Sequence, residues 1–196
     1  MVKVIIFDVG GVLMFSDMVF YKKISKYLGI DSKKLIKLRD KLYYERHKGK
    51  LTSKQVAFLI KKEFGIEKDV MRAFRKYYLE LKINKSLLKI INRLKKKYKV
   101  AIVSNMDDLS YKINKERGIF SGFDEVIISH KVRLVKPQTR IFKLALKKLD
   151  VKAHNCVFVD DSKDNINVAR KLGFKVIHFK NNKQLIKELK NLSIQV

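Results

Sequence analysis

Acidic residues are scarce in this 196-residue chain, 19 against 46 Lys and Arg, so their placement carries information. Asp8, the pair Asp107 and Asp108, the pair Asp160 and Asp161, and Asp164 all follow apolar runs, where strands should end. Asp8 closes the run Val4 to Phe7 and is followed by Gly10 and Gly11, a turn whose backbone N–H groups would lie open to an anion. Ser104 and Asn105 close the run Val100 to Val103, and Lys136 stands just before the single proline, Pro137. In an open parallel sheet all these strand ends face one edge, so residues distant in sequence would converge there. Such a set suits phosphoryl chemistry. A carboxylate can attack phosphorus, form an acyl phosphate and divide one difficult displacement into two steps. Carboxylates alone would repel a phosphate, so a cation is needed. Mg²⁺ takes oxygen ligands and often uses only one or two carboxylates, which Asp8, Asp161 and the backbone carbonyl of Gly10 would satisfy. The Ser104 hydroxyl and the Lys136 ammonium would bind phosphate oxygens as charge builds on them. The competing account is ordinary: an Asp-x-Gly turn, a Ser-Asn turn, and one more solvated lysine among 37.

These residues need a scaffold, and the hydrophobic pattern supplies one. The run Val4 to Phe7 is too short for a typical helix and β-rich, which predicts a strand buried on both faces. Residues 14–83 show helical spacing with no strand alternation and predict four helices. The first opens near Asp17, runs through Met18, Phe20 and Ile24, and stops at Gly29. The second, capped by Asp31 or Ser32, carries Leu35, Leu38, Leu42 and Tyr43 and ends near Gly49. The third starts at Thr52 or Ser53 and stops at Gly65, and the fourth runs from about Glu67 through Val70, Phe74 and Tyr78. From Lys85 onward helices alternate with strands at Val100–Val103, Val126–Ile128, Cys156–Val159 and Lys175–Phe179, and Pro137 is placed to start the helix carrying Ile141, Leu144 and Leu149. The expected class is α/β: a Rossmann-type parallel sheet core formed by residues 1–13 and 84–196, with a helical cap inserted at residues 14–83.

The formal charge is +27. That balance favours anionic substrates or polyanionic partners. Lysine outnumbers arginine 37 to 9 and is spread over nearly every helix, so a nucleic-acid face is the less favoured reading. One cysteine, Cys156, allows no intrachain disulfide and fits an inert core position in a reducing compartment. No apolar run reaches the length of a membrane span, and the expected setting is soluble and cytoplasmic. The four histidines lack metal-ligand spacing, and Asp107 or Asp108 reads as a helix N-cap. The oligomeric state has no signature in the sequence.

In order, FDVGGVL, IVSN, KP and FVDDSKDNINVARKLGF resemble the four motifs of the haloacid dehalogenase superfamily, and the likeness spans nearly the whole chain. It is strongest to the phosphatase branch that carries a helical cap after the first motif, including glucose-1-phosphate phosphatases and the N-terminal domain of soluble epoxide hydrolase. The resemblance implies a central first strand flanked by the second and fourth. It also implies Asp8 as nucleophile, Ser104, Asn105 and Lys136 around the phosphate with Gly10 and Gly11, and Asp161 as a Mg²⁺ ligand supported by Asp160 and Asn165. The stretch YYERHKGKLTSKQVAF resembles the substrate-facing part of the cap, making Tyr43, Arg46 and His47 specificity candidates. The implied activity is hydrolysis of a small phosphorylated metabolite, a sugar phosphate among the options, through an aspartyl-phosphate. The alternative is a catalytically degenerate module of the same fold that binds nucleic acid through its basic surface.

Two departures stand out. Most phosphatases of the superfamily place a general-acid Asp two residues after the nucleophile, and Gly10 occupies that position here. Leaving groups that depart without protonation, such as anomeric or acyl ones, should therefore be favoured. Lys131 and Arg133 stand where relatives often carry an acid and a glycine, with an expected effect on the pocket rim. The dehalogenase branch, which usually has an aromatic residue at the Gly10 position, is the poorer match.

Overall fold

The computed structural model describes residues 1–15 and 18–195, so the helix start expected at Asp17 lies outside the described residues. Strand β1 (Val4–Phe7) is followed by helices α1 (Met18–Leu28), α2 (Ser32–Lys41), α3 (Tyr43–His47), α4 (Ser53–Phe64) and α5 (Val70–Leu79). Helix α6 (Lys85–Leu94) leads into β2 (Lys99–Ser104), α7 (Asp108–Glu116), β3 (Glu125–Ile128) and the single turn α8 (Ser129–Val132). Then come α9 (Thr139–Leu149), β4 (Cys156–Asp160), α10 (Lys163–Lys171), β5 (Lys175–His178) and α11 (Asn182–Asn191). The five strands form one parallel sheet in the order β3-β2-β1-β4-β5.

The apolar run at β1 is unbroken because the strand is central and covered on both sides. Ile5 and Phe7 pack with Leu87, Ile91 and Leu94 of α6 and Leu185 and Leu189 of α11. Val4 and Ile6 pack on the opposite face with Ile141, Phe142 and Ala145 of α9 and Ile166 and Ala169 of α10. All four side chains are essentially inaccessible, and each such burial stabilises by about 1.5–3 kcal/mol. This packing fixes β1, and with it the position of Asp8 one residue beyond the strand.

Helices α1 to α5 are inserted between β1 and α6 and gather around an apolar cluster of their own, including Ile24, Leu35, Val56, Ile60 and Phe74. The chain leaves and returns through adjacent segments: Phe15 N–H donates to the Lys82 carbonyl at 3.1 Å, and Asn84 N–H to the Leu13 carbonyl at 2.8 Å.

Two details differ from the sequence expectation. The second expected helix is two, α2 and α3, because Leu42 leaves helical geometry (φ −92°, ψ 0°). Leu42 stays packed against the apolar cluster, while Tyr43 and His47 one step later line the cleft at the sheet edge; the break lets neighbouring residues serve both. Pro137 does not start α9, which begins at Thr139 after the N-cap Gln138. The backbone just before it is committed elsewhere: Lys136 N–H donates to Asn105 Oδ1 and the Lys136 carbonyl accepts from Asn105 Nδ2, both at 2.8 Å.

Candidate active site

The ends of β1, β2 and β4 deliver Asp8, Ser104 and Asp160 to one edge of the sheet, and the α9 approach adds Lys136. Lys136 is almost completely buried, and its Nζ lies 2.8 Å from Asp8 Oδ1 and 2.7 Å from Asp160 Oδ2. Burial alone would lower the Lys136 pKa, but Asp160 and Asp8 override it and hold the ammonium above its ordinary value. Asp8 behaves differently. Burial pushes its carboxyl up to about 6, with Lys136 opposing the shift, Asp160 adding to it, and a Ser104 hydrogen bond pulling weakly downward. The Val9 N–H also donates to Asp8 Oδ1 at 2.7 Å.

Asp160 is fully inaccessible and its oxygens are already engaged. Besides Lys136, it accepts from the Ser162 N–H at 2.8 Å and from Asn165 Nδ2 at 3.0 and 3.1 Å. Its visible role is to aim the lysine. The Asn165 amide nitrogen is spent on Asp160, and as a donor it cannot ligate a cation. Asp161 is exposed at the mouth, with its carboxyl pushed up by burial of the group and by Asp160. Carboxylate oxygens of Asp8, Asp160 and Asp161 come within 4.8 Å of one another, a grouping of the described residues that could hold a metal ion. When all are ionised, Lys136 balances only one of the three charges.

The two glycines after Asp8 have different physical reasons. Gly11 sits at φ +72°, and a Cβ there would lie 2.0 Å from Asp161 Oδ2. Its N–H donates to the Met14 carbonyl at 2.7 Å. The expectation that this N–H lies open to an anion is therefore corrected: Gly11 gives Asp161 room to approach β1. Gly10 has no such constraint. It is exposed, its φ is outside the left-handed region, and a Cβ would meet nothing within 4 Å.

Over this floor opens a cleft of about 490 Å³ lined by Asp8, Gly10, Asn105, Lys136 and Asp161 below, and by Tyr43, Arg46 and His47 from the inserted helices. The residues expected at the site are thus brought together, except that Gly11 and Asp160 lie behind its surface and Ser104 faces a neighbouring cavity. Lys131 and Arg133 do not line the cleft. Lys131 Nζ instead reaches the Tyr111 hydroxyl at 2.6 Å, and Arg133 sits in left-handed geometry (φ 56°), the conformation a glycine would suit.

Asn105 joins several parts of the site. Besides clamping both backbone groups of Lys136, its Nδ2 donates to the Tyr43 hydroxyl at 2.9 Å, tying the inserted helices to the sheet edge. Asp107 caps α7 through the Ser110 N–H at 2.8 Å, as expected, but also faces Arg46 Nε at 3.5 Å. Burial alone would raise the Asp107 pKa, yet Arg46, Ser110 and His47 hold the carboxyl below the usual range. His47, whose Nδ1 donates to the Tyr43 carbonyl at 2.8 Å, is pushed down to about 4 by burial and by Arg46. Sequence reasoning missed the Arg46–Asp107 pair and the cleft residues Arg39 and Asp40. The scarcity of acids at Asp107 was the available signal.

Among the described residues no helix is long and apolar enough to cross a membrane. The chain is 26% identical over 205 residues to a D-ribitol-5-phosphate phosphatase of Bacteroides thetaiotaomicron, covering 96% of this chain and 97% of that protein. It is 27% identical over 199 residues to the drimenol cyclase of Aspergillus calidoustus, covering 98% of this chain but only 37% of the cyclase's length. A crystal structure of a haloacid-dehalogenase-family enzyme from Bacteroides thetaiotaomicron, in complex with magnesium and inorganic phosphate, superposes with a TM-score of 0.81 at 22% identity, over 93% of this chain and 96% of that one. The model of the haloacid dehalogenase-like hydrolases matches residues 2–173, the β1 turn, the inserted helices and the β4 acids included, and the chain belongs to that family.

Proposed function

We propose that the protein is a Mg²⁺-dependent phosphatase that hydrolyses a small phosphorylated metabolite through an aspartyl-phosphate on Asp8. The observation that carries this reading is the buried Asp8–Lys136–Asp160 arrangement with Asp161 at the mouth. Three carboxylates against one ammonium leave a site short of positive charge, and the donors are all oxygen, which fits Mg²⁺. Asp8 and Asp161 would hold the ion with the Gly10 carbonyl, while Asp160, occupied by Lys136 and Asn165, supports from behind. The bound ion supplies charge neutralisation that lets an anionic phosphate approach a carboxylate.

In this reading the Asp8 oxygen not shared with Lys136 attacks phosphorus as the bond to the substrate's bridging oxygen breaks, that oxygen leaving with the electron pair and taking any proton it needs from water. Water then attacks the acyl phosphate, releasing inorganic phosphate and restoring the Asp8 carboxylate. Lys136 is held by Asp160 on one side and Asn105 at its backbone, so its ammonium is fixed where negative charge develops. Ser104 adds a donor. The helices of residues 14–83 form a cap over the core of residues 1–13 and 84–196, and Tyr43, Arg46 and His47 are its substrate-facing residues. The D-ribitol-5-phosphate phosphatase, similar along nearly its full length, supports the reaction class. Hydrolysis of an acyl or aryl phosphate with and without Mg²⁺, in the wild type and in Asp8→Asn, tests the reading. Turnover should require both the metal and Asp8. No turnover, together with no Mg²⁺ binding, would overturn it and make nucleic acid the next ligand to examine.

A further inference from the structure

Beside the polar cleft lies a second cavity of about 190 Å³, between the inserted helices and the ends of β1 and β2. Its wall is mostly apolar, with Met14, Phe20, Val56, Phe74, Met106 and Leu109 contributing. Gly10, Tyr21, Arg46, His47 and Asn105 line both spaces, so the two meet directly above the turn that follows Asp8. Gly10 stands at that junction in open space, with nothing within 4 Å of where its Cβ would be.

We propose that this cavity receives the leaving group of the substrate, and that the leaving group is a compact apolar ring, making the substrate an aryl-type phosphate monoester. The inference rests on the phosphatase reading above. In an in-line displacement the group that departs points away from the attacking Asp8 carboxylate, towards the helices over the strand ends. An apolar cavity of about 150 Å³ holds a benzene molecule, so this one takes a single ring with a small substituent and no long chain. A polyol is the poorer occupant, since hydroxyls buried against Met14, Phe20, Val56, Phe74, Met106 and Leu109 find no hydrogen-bond partner there. The substrate class therefore differs from the ribitol phosphate in the name of the bacterial relative. The chemistry agrees: a phenolic oxygen leaves without a general acid, the group that Gly10 omits, and the charge it carries on departure emerges beside Arg46 at the junction.

The test uses 4-methylphenyl phosphate, acetyl phosphate and free p-cresol with Mg²⁺ present. Wild type should hydrolyse both phosphates, and p-cresol should bind the protein, by ligand-observed NMR, and compete with 4-methylphenyl phosphate. Leu109→Trp, which fills the cavity from a partly buried position, should lower the ratio of kcat/KM for 4-methylphenyl phosphate over acetyl phosphate at least tenfold, mainly through KM, and abolish p-cresol binding. Hydrolysis of acetyl phosphate without p-cresol binding to wild type would overturn the proposal and leave the phosphatase reading intact. Hydrolysis of neither phosphate would overturn both. An unchanged ratio in a folded Leu109→Trp protein would also overturn it.

Discussion

Replacing Gly10 by Asp should convert the protein towards poorer leaving groups, and the structure allows the substitution to be read cleanly. Gly10 does not use left-handed geometry, and a Cβ there meets nothing within 4 Å, so the added side chain enters open space at the junction of cleft and cavity. Fold stability should change by less than about 1 kcal/mol in the presence of Mg²⁺, because no packed atom is displaced. A positioned general acid contributes about 10²–10⁴ to such reactions. An unrefined one should return part of that, at least about tenfold in kcat on a hexose 6-phosphate, whose alkoxide leaves poorly. Turnover of acetyl phosphate, whose acetate departs without protonation, should change by less than about threefold. The acid must carry its proton, and it would sit close to Asp8 and Asp161, whose charges raise its pKa. The gain should therefore be largest on the acidic side and fade as pH rises. Steady-state kinetics on both substrates between pH 5 and 8, with thermal melts of both proteins, would decide it. Equal gains on the two substrates, or none on the hexose phosphate in a folded variant, would refute the account of Gly10 as a missing acid.

Two further outcomes follow from the same geometry. Gly11→Ala should disable the site while leaving the sheet intact, because a methyl group would sit 2.0 Å from Asp161 Oδ2 and φ is +72°; strain of about 1–2 kcal/mol in melts and a loss of Mg²⁺ affinity by calorimetry are expected, and wild-type affinity would contradict it. In EDTA, Asp8 and His47 should oppose each other in the pH dependence of stability. Asp8, pushed up to about 6 from an ordinary 3.8, holds an extra native proton, so its contribution falls as pH rises between those values. His47, pushed down to about 4 from 6.5, leaves the extra proton on the unfolded chain, so its contribution rises with pH over nearly the same interval. The two slopes have opposite signs in the wild type. His47→Gln should expose the Asp8 limb, a loss of up to roughly 3 kcal/mol from pH 4 to 6 at about 1.36 kcal/mol per unit. Urea titrations at half-unit intervals measure it, and a variant profile parallel to wild type would remove His47 from the balance.

How legible the site was depends on the residue. Asp8, Ser104, Asp160 and Asp161 could be placed because strand-end position in a parallel sheet follows from hydrophobic patterning: each apolar run must be buried, and its end must meet the same edge as its neighbours. The place of β1 between β2 and β4 was implied by the resemblance of the motifs to the family, while the full order β3-β2-β1-β4-β5 came from the structure. Lys136 was legible only as one basic residue among many next to a proline. That it is buried between two carboxylates depends on Asn105, 31 positions earlier, holding its backbone at both N–H and C=O.

The sequence by itself determined the α/β class, the helical insertion and the identity of the acidic and hydroxyl groups at the strand ends, because periodicity and strand termination are local properties. Tertiary structure alone decided the rest. It separated Gly10 from Gly11, two identical letters, by placing Asp161 against one and empty space beside the other. It paired Arg46 with Asp107 and broke the second helix at Leu42, since both depend on how the inserted helices lie over the sheet edge. It also opened a mostly apolar cavity beside a polar cleft, a feature assembled from six separate segments that no single stretch of chain encodes.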